Sequence, residues 1–304
     1  MSTIIIKKVA LAGASGILGK PVLDHLLAAK FDVTVLVREN STSAFPDGVK
    51  TIRVDYDSEE SLRAAMEGQD ALVSTIAAAA MSSQENLIKA AIAVRVHRII
   101  PSDFVADYSL EANKVLPVYF PKLATKELLE KGARDTDGAV TYTLVMNNVF
   151  LDWGINFGFL IDAKNKSIVL HDGGETHFST TPLHAVAKGV VGVLQHPEET
   201  ANRAVRIQGT VITQKRLLEL GKKALGDEGW TVTDSSTSED LQKGWEVFKT
   251  DPTNAMGWAI KFLISVIFSK QHTPKFAEVD NDLLGVPEIE DEEIIGYIKK
   301  AASV

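Results

Sequence analysis

No cysteine occurs among the 304 residues. Disulfides, thiolate nucleophiles and cysteine-ligated zinc or iron–sulfur centres are therefore excluded, and the composition suits a reducing, cytoplasmic setting. Long basic runs are also missing and the formal net charge is −8, which argues against a nucleic-acid partner. Long apolar runs are missing too. The most apolar stretch, Trp258 to Phe268, is too short to cross a bilayer and carries Lys261, so it reads as a core helix and no membrane partner is expected. The apolar N-terminus runs into a glycine turn without a small-residue cleavage region, unlike a secretory leader. No Gly-x-Ser-x-Gly occurs, so serine hydrolysis has no support. His171 and His177 flank Asp172 and Glu175 and superficially suggest a metal site. The Asp172-Gly173-Gly174 turn explains that segment better, and no metal is expected. What remains, 45% hydrophobic and 24% charged, is an ordinary soluble globular chain, long enough for a large domain with an appendage.

Residues 9–19 read Val-Ala-Leu-Ala-Gly-Ala-Ser-Gly-Ile-Leu-Gly. A short apolar run feeds a glycine-rich turn, which opens a helix with Leu18, Val22, Leu26 and Leu27 at helical spacing. This strand–turn–helix context makes the glycines credible as a dinucleotide site. Gly13 takes the tight turn, Gly16 has no Cβ to keep a pyrophosphate from the backbone, and Gly19 lets the helix pack closely on the sheet. Ser15, Ile17 and Leu18 belong to the same turn, and the helix start supplies amide donors and a partial positive charge.

Strand and helix patterns then alternate, with strands expected at 32–37, 49–54, 71–76, 98–101 and 141–146 and helices between them. The fold class that follows is α/β, a Rossmann-type doubly wound parallel sheet. Residues 1–150 would be the dinucleotide-binding domain and 151–304 a smaller, mostly helical substrate-binding region. The boundary is soft, since residues 205–209 return to the main sheet as a seventh strand.

The second strand ends at Arg38, where an NAD-preferring enzyme places Asp or Glu. A guanidinium instead pairs with a 2′-phosphate, so NADP(H) is the expected cofactor, with Asn40, Ser41 and Thr42 as further donors. The plainer alternative is a solvated strand-end charge. Thr75 and Ala77 at the fourth strand's end lie where the pyrophosphate and ribose would pass, or simply form a buried strand and an alanine-rich turn. After the fifth strand, Ser102 is expected against the cofactor and Phe104 against the substrate. After the sixth, Asn147 and Phe150 are expected at the nicotinamide, or as a turn and a core phenylalanine. Asn148, Trp153 and His177 are candidates for the substrate side.

Together with the glycine turn and Arg38, several segments resemble the NmrA-like, isoflavone reductase-like branch of atypical short-chain dehydrogenases/reductases, fungal members in particular. They are Ile100-Pro101-Ser102-Asp103-Phe104, Tyr142 to Asn148, Phe150 to Gly154, Asp172-Gly173-Gly174, Phe178 to Thr181 and His196 to Glu199. The resemblance implies NADPH chemistry on phenylpropanoid-like or fungal secondary metabolites, though some relatives sense nicotinamide redox state without turnover. It also implies one catalytic lysine at the start of the helix after the fifth strand, here Lys122, with Lys126 four residues on. No Tyr-x-x-x-Lys falls there. Two departures bear on the pocket: Asp103-Phe104-Val105 replaces the family's Glu-Phe-Gly, and extra residues lie near 134–138.

By its own chemistry, an ammonium at a helix start after an apolar approach has its charge disfavoured, which suits a proton donor or acceptor. Lys122 is expected both to hold the nicotinamide ribose hydroxyls and to relay a proton. The plainer alternative is a solvent-facing lysine sharing a face with Lys126 and Glu130. The leading expectation is an NADPH-dependent reductase of an aromatic or heterocyclic small molecule in secondary metabolism, with Lys122 as general acid/base. Alternatives are a net redox-neutral rearrangement or cyclisation of an alkaloid-type intermediate on bound NADP(H), and a non-catalytic NADP(H)-sensing regulator. A homodimer is possible.

Overall fold

A computed structural model describes residues 4–77 and 80–303. The first elements are β1 (Lys8–Ala12), α1 (Gly19–Ala28), β2 (Asp32–Arg38), β3 (Lys50–Val54), α2 (Glu59–Met66), β4 (Ala71–Ser74) and α3 (Met81–Ala93). There follow β5 (Arg98–Ile100), a single turn α4 (Glu111–Lys114), α5 (Phe120–Asp135) and β6 (Thr141–Met146). Beyond these lie β7 (Val149–Phe150), α6 (Leu151–Asn156), β8 (Ser167–His171), β9 (Phe178–Thr181), α7 (Leu183–Gln195) and β10 (Arg203–Arg206). The chain ends with β11 (Thr210–Ile212), α8 (Gln214–Leu225), β12 (Thr231–Ser235), α9 (Thr237–Thr250), α10 (Ala255–Phe268), α11 (Asn281–Leu284) and α12 (Asp291–Ala302).

Seven strands form one parallel sheet in the order β10-β6-β5-β4-β1-β2-β3. The alternation of side chains along each strand divides the core. Val9, Leu11, Val33 and Val35 pack with Val22 and Leu26 of α1 and Val186 and Val190 of α7. Ala10, Ala12, Leu36 and Leu72 pack on the other face with Leu62 of α2, Leu87 of α3 and Leu129 of α5. Burial on both faces is what a doubly wound sheet requires. The chain builds outward from β1 to β3, then crosses back to place β4 on the other side of β1. Open α/β sheets bind ligands at such a switch point, outside the carboxyl ends of the strands.

The returning strand forms as Arg203–Arg206, paired with β6. Two further small sheets, β11-β9-β7 and β12-β8, lie among the C-terminal helices. Of their five strands only β8 carried an apolar run legible in the sequence; β9 and β12 are rich in Ser and Thr, and β7 and β11 have only two and three residues. The fourth strand stops at Ser74 rather than Ile76. At Thr75 the chain leaves the ladder, and both the amide and the hydroxyl of Thr75 donate to the carbonyl of Ala12, each at 2.9 Å. The apolar stretch forms α10 as expected, starting earlier at Ala255, with Asn254 Oδ1 accepting from Gly257 N at 3.0 Å. Among the described residues no helix is long and apolar enough to cross a membrane.

Arg98 at the start of β5 is fully buried. Its guanidinium donates to the hydroxyls of Thr141 (2.9 Å), Thr143 (2.9 Å) and Thr200 (2.8 Å) and to the Pro197 carbonyl. Burial lowers its pKa to about 10. These bonds tie the turn before β10 to the middle of the sheet. Arg98→Ala would strand several buried oxygens, and urea unfolding should register a loss of about 3 kcal/mol.

Candidate active site

A cleft of about 1030 Å³ opens at the switch point. One end is built from the glycine turn. Gly13 sits at φ +84°, and a Cβ there would lie 2.7 Å from the Thr75 carbonyl, so the turn presses directly on the end of β4. A Cβ on Gly19 would fall 2.0 Å from the carbonyl oxygen of Gly13, which fixes how closely α1 approaches its own turn. Gly16 differs. Its nearest neighbour would be Gly13 O at 3.1 Å, and the residue is exposed. Backbone is therefore open to the cleft at Gly16, flanked by Ser15, Ile17 and Leu18, all in the cleft wall.

Arg38 ends β2, is exposed and lines the cleft, with no ion-pair partner among the described residues. Ser41 and Ser43 stand in the same wall, whereas Asn40 and Thr42 do not. Arg53 steadies this loop by donating to Ser41 O at 3.1 Å and to Glu39 O. Phe45 and Tyr56 close the pocket beside Arg38. Tyr56 OH donates to Leu36 O at 3.2 Å, and burial pushes its pKa up to about 12.

Midway, Thr75, Ala77 and Ser102 line the wall. Buried Gln84 joins the strand ends: its Oε1 accepts from Ser102 N (2.7 Å) and from Ser74 OH (3.0 Å). Ser102 OH donates to Ile76 O at 2.8 Å. The Ser102 carbonyl accepts from Lys122 Nζ at 3.0 Å, and Asp103 Oδ1 lies 3.6 Å from that nitrogen. Lys122 is thus turned inward, its side chain 15% exposed. Lys126, one turn on, pairs outside with Glu130 at 3.4 Å. Asp103 is buried and its Oδ2 accepts from Tyr108 OH, while Oδ1 has no hydrogen-bond partner among the described residues. Burial pushes the Asp103 carboxyl above the usual range, against the opposing pull of Lys122 and Tyr108.

The far end is apolar. Phe104, Phe150 and Trp153 line it with Phe159 and with Ile260, Leu263 and Ile267 of α10. Asn148 reaches this wall from a left-handed backbone (φ +55°), its amide group donating to Pro274 O at 2.7 Å. Asn147 does not reach it. Asn147 is fully buried behind the wall, its amide group donating to Asn148 O at 2.9 Å. Gly19 lies behind the turn, and His177 is exposed and absent from the cleft wall. His171 is buried and stacked on Phe268 at 4.9 Å, so the two histidines do not converge. Sequence reasoning missed Ser43, Phe45, Tyr56, Tyr119, Phe159 and the α10 residues. Only the apolar run of α10 carried a signal, and that signal was burial.

The NmrA-like family model matches residues 6–236. The chain belongs to the NmrA-like family. Oxidoreductase aprR of Aspergillus flavus is 30% identical over 303 residues, spanning 96% of this chain and 99% of that protein. Oxidoreductase poxI of Penicillium oxalicum is 29% identical over 301 residues, spanning 96% of this chain and 93% of that protein. The solved binary complex of leucoanthocyanidin reductase with NADPH from Vitis vinifera superposes with a TM-score of 0.75. It is 18% identical, covers 96% of this chain and 99% of that chain, and is a likeness of fold. For this NmrA-like protein the resemblance drawn from the motifs holds at the level of family.

Because its folded-state pKa is raised, Asp103 contributes most to stability below the unfolded value, and that contribution is lost as pH rises through the folded one. Asp103→Asn has no such titration. Its stability relative to wild type should therefore increase from pH 4 to pH 8 in urea melts, and a relative decrease would contradict the burial argument.

Proposed function

We propose that this NmrA-like protein is an NADP(H)-dependent reductase of a neutral aromatic or heterocyclic small molecule, with Lys122 as general acid/base. One observation carries the reading. A single cleft joins the Arg38 guanidinium, which has no ion-pair partner among the described residues, a glycine floor and an inward-turned ammonium facing an apolar chamber. The fit to a dinucleotide rests on Gly16, where no side chain covers the backbone, and on Arg38 at the end of β2 with serine hydroxyls beside it. The fungal oxidoreductase relatives and the NADPH complex of the fold neighbour support it.

Arg38, Ser41 and Ser43 would hold the 2′-phosphate, charge-assisted bonds from the guanidinium giving the preference over NADH. Gly13 to Leu18 would receive the pyrophosphate on backbone amides, and Thr75, Ala77 and Ser102 would border the ribose. Bound there, a dihydronicotinamide supplies hydride. Lys122, fixed by Ser102 O and Asp103, holds the proton that the reduced substrate needs. Phe104, Phe150 and Trp153 would exclude water and select a flat apolar substrate.

Fluorescence titration should show NADPH bound more tightly than NADH, with Arg38→Ala weakening NADPH by about thirtyfold and NADH little. Equal binding of both cofactors by wild type would overturn the assignment. Lys122→Ala should keep NADPH affinity within a few-fold. It should slow NADPH consumption, screened over aryl ketones, aryl imines and benzylic ethers, by about a hundredfold or more. Unchanged turnover in that variant would remove Lys122 from the chemistry.

A further inference from the structure

Tyr119 lines the cleft, is fully buried, and its hydroxyl has no hydrogen-bond partner among the described residues. Such a group is costly for a fold to keep, since it gives up water without replacing it. Its surroundings explain why it stays in place. The residue closes the short 3₁₀ turn Pro117–Tyr119 that leads into α5, three positions before Lys122. Its ring stacks on Tyr108 with centroids 5.7 Å apart. The hydroxyl of Tyr108 is committed to Asp103; that of Tyr119 is not. Burial, with the carboxylates of Asp103 and Asp107 nearby, pushes the Tyr119 hydroxyl well above the ordinary tyrosine value. It is therefore a phenol that keeps its proton, unsuited to be a base and suited to donate a hydrogen bond.

We propose that Tyr119 is a catalytic hydrogen-bond donor to the substrate, holding the acceptor atom, a carbonyl oxygen or an imine nitrogen, that gains charge during reduction. The proposal rests on the reductase reading above and adds the chemistry of the substrate: a neutral aromatic compound with a hydrogen-bond acceptor on the bond to be reduced. In the step itself hydride adds to the carbon of the C=O or C=N bond and the π pair moves onto the heteroatom. The reductant is NADPH, oxidised to NADP⁺. The proton that completes the product comes from the Lys122 ammonium, and Tyr119 keeps its own while its hydrogen bond strengthens as charge develops. Donor and acid are thus separate groups on one turn of chain.

The test is Tyr119→Phe, which removes only the oxygen. The probe is 4-(dimethylamino)chalcone, a neutral aryl ketone whose visible absorption moves to the red when its carbonyl accepts a hydrogen bond. It would be titrated into the NADP⁺-loaded protein, where no turnover occurs. Wild type should bind it with a red-shifted band. Tyr119→Phe should lose that shift and bind about tenfold more weakly, with NADPH affinity and melting temperature unchanged or the latter raised. Identical bands and affinities, no binding to wild type, or a marked fall in melting temperature in Tyr119→Phe would each overturn the proposal, the last by making the hydroxyl structural. Failure of the cofactor reading is seen separately as loss of NADP⁺ and NADPH binding by wild type, and the ketone titration of the unloaded protein then still reads Tyr119.

Discussion

The ammonium of Lys122 is held by two oxygens of adjacent residues, the Ser102 carbonyl at 3.0 Å and the Asp103 carboxylate at 3.6 Å. The inward turn of Lys122 depends on where that pair of residues sits. Ser102 is fixed from below by Gln84, which also holds the end of β4. Asp103 is fixed from the side by Tyr108. A lysine at a helix start would otherwise extend into water, as Lys126 does toward Glu130. The buried carboxylate gives Lys122 a reason to turn inward, since a desolvated charge is tolerated beside one of opposite sign.

The two ends of the cleft are made from different materials for different reasons. At the glycine turn, backbone is brought against backbone: Gly13 on Thr75, and α1 on Gly13. Little side chain is present, which leaves amides exposed at Gly16. At the opposite end, large side chains from separate parts of the chain converge, Phe104 after β5, Phe150 and Trp153 after β6, and Ile260, Leu263 and Ile267 from α10. Helix α10 is apolar on nearly every side because one side meets Trp245 and Phe248 of α9 while another faces the cleft.

The glycine turn and Arg38, read from a fixed spacing and a strand end, and Lys122, read from the family resemblance, all line one cleft. The sheet was legible because most of its strands are continuous apolar runs separated by helical patterns. The short strands β7, β9 and β11 were not, and neither were the contributions of Phe45, Tyr56, Phe159 and Tyr119, which depend on chain brought from elsewhere. The neighbouring asparagines make the limit plain. Both were assigned to the site, yet the left-handed turn at Asn148 sends that side chain into the wall and leaves Asn147 behind it. Two adjacent asparagines signal a turn, since Asn enters left-handed backbone readily, but not which of the two side chains then faces the cleft.

The central claim is that one dinucleotide spans the cleft from Arg38 to Lys122. A crystal structure of the protein with NADPH tests it most directly. The account predicts the 2′-phosphate on the Arg38 guanidinium, the pyrophosphate over Gly16, and the nicotinamide ring between Lys122 and the aromatic chamber. A cofactor bound in the reverse direction, or outside this cleft, would contradict it.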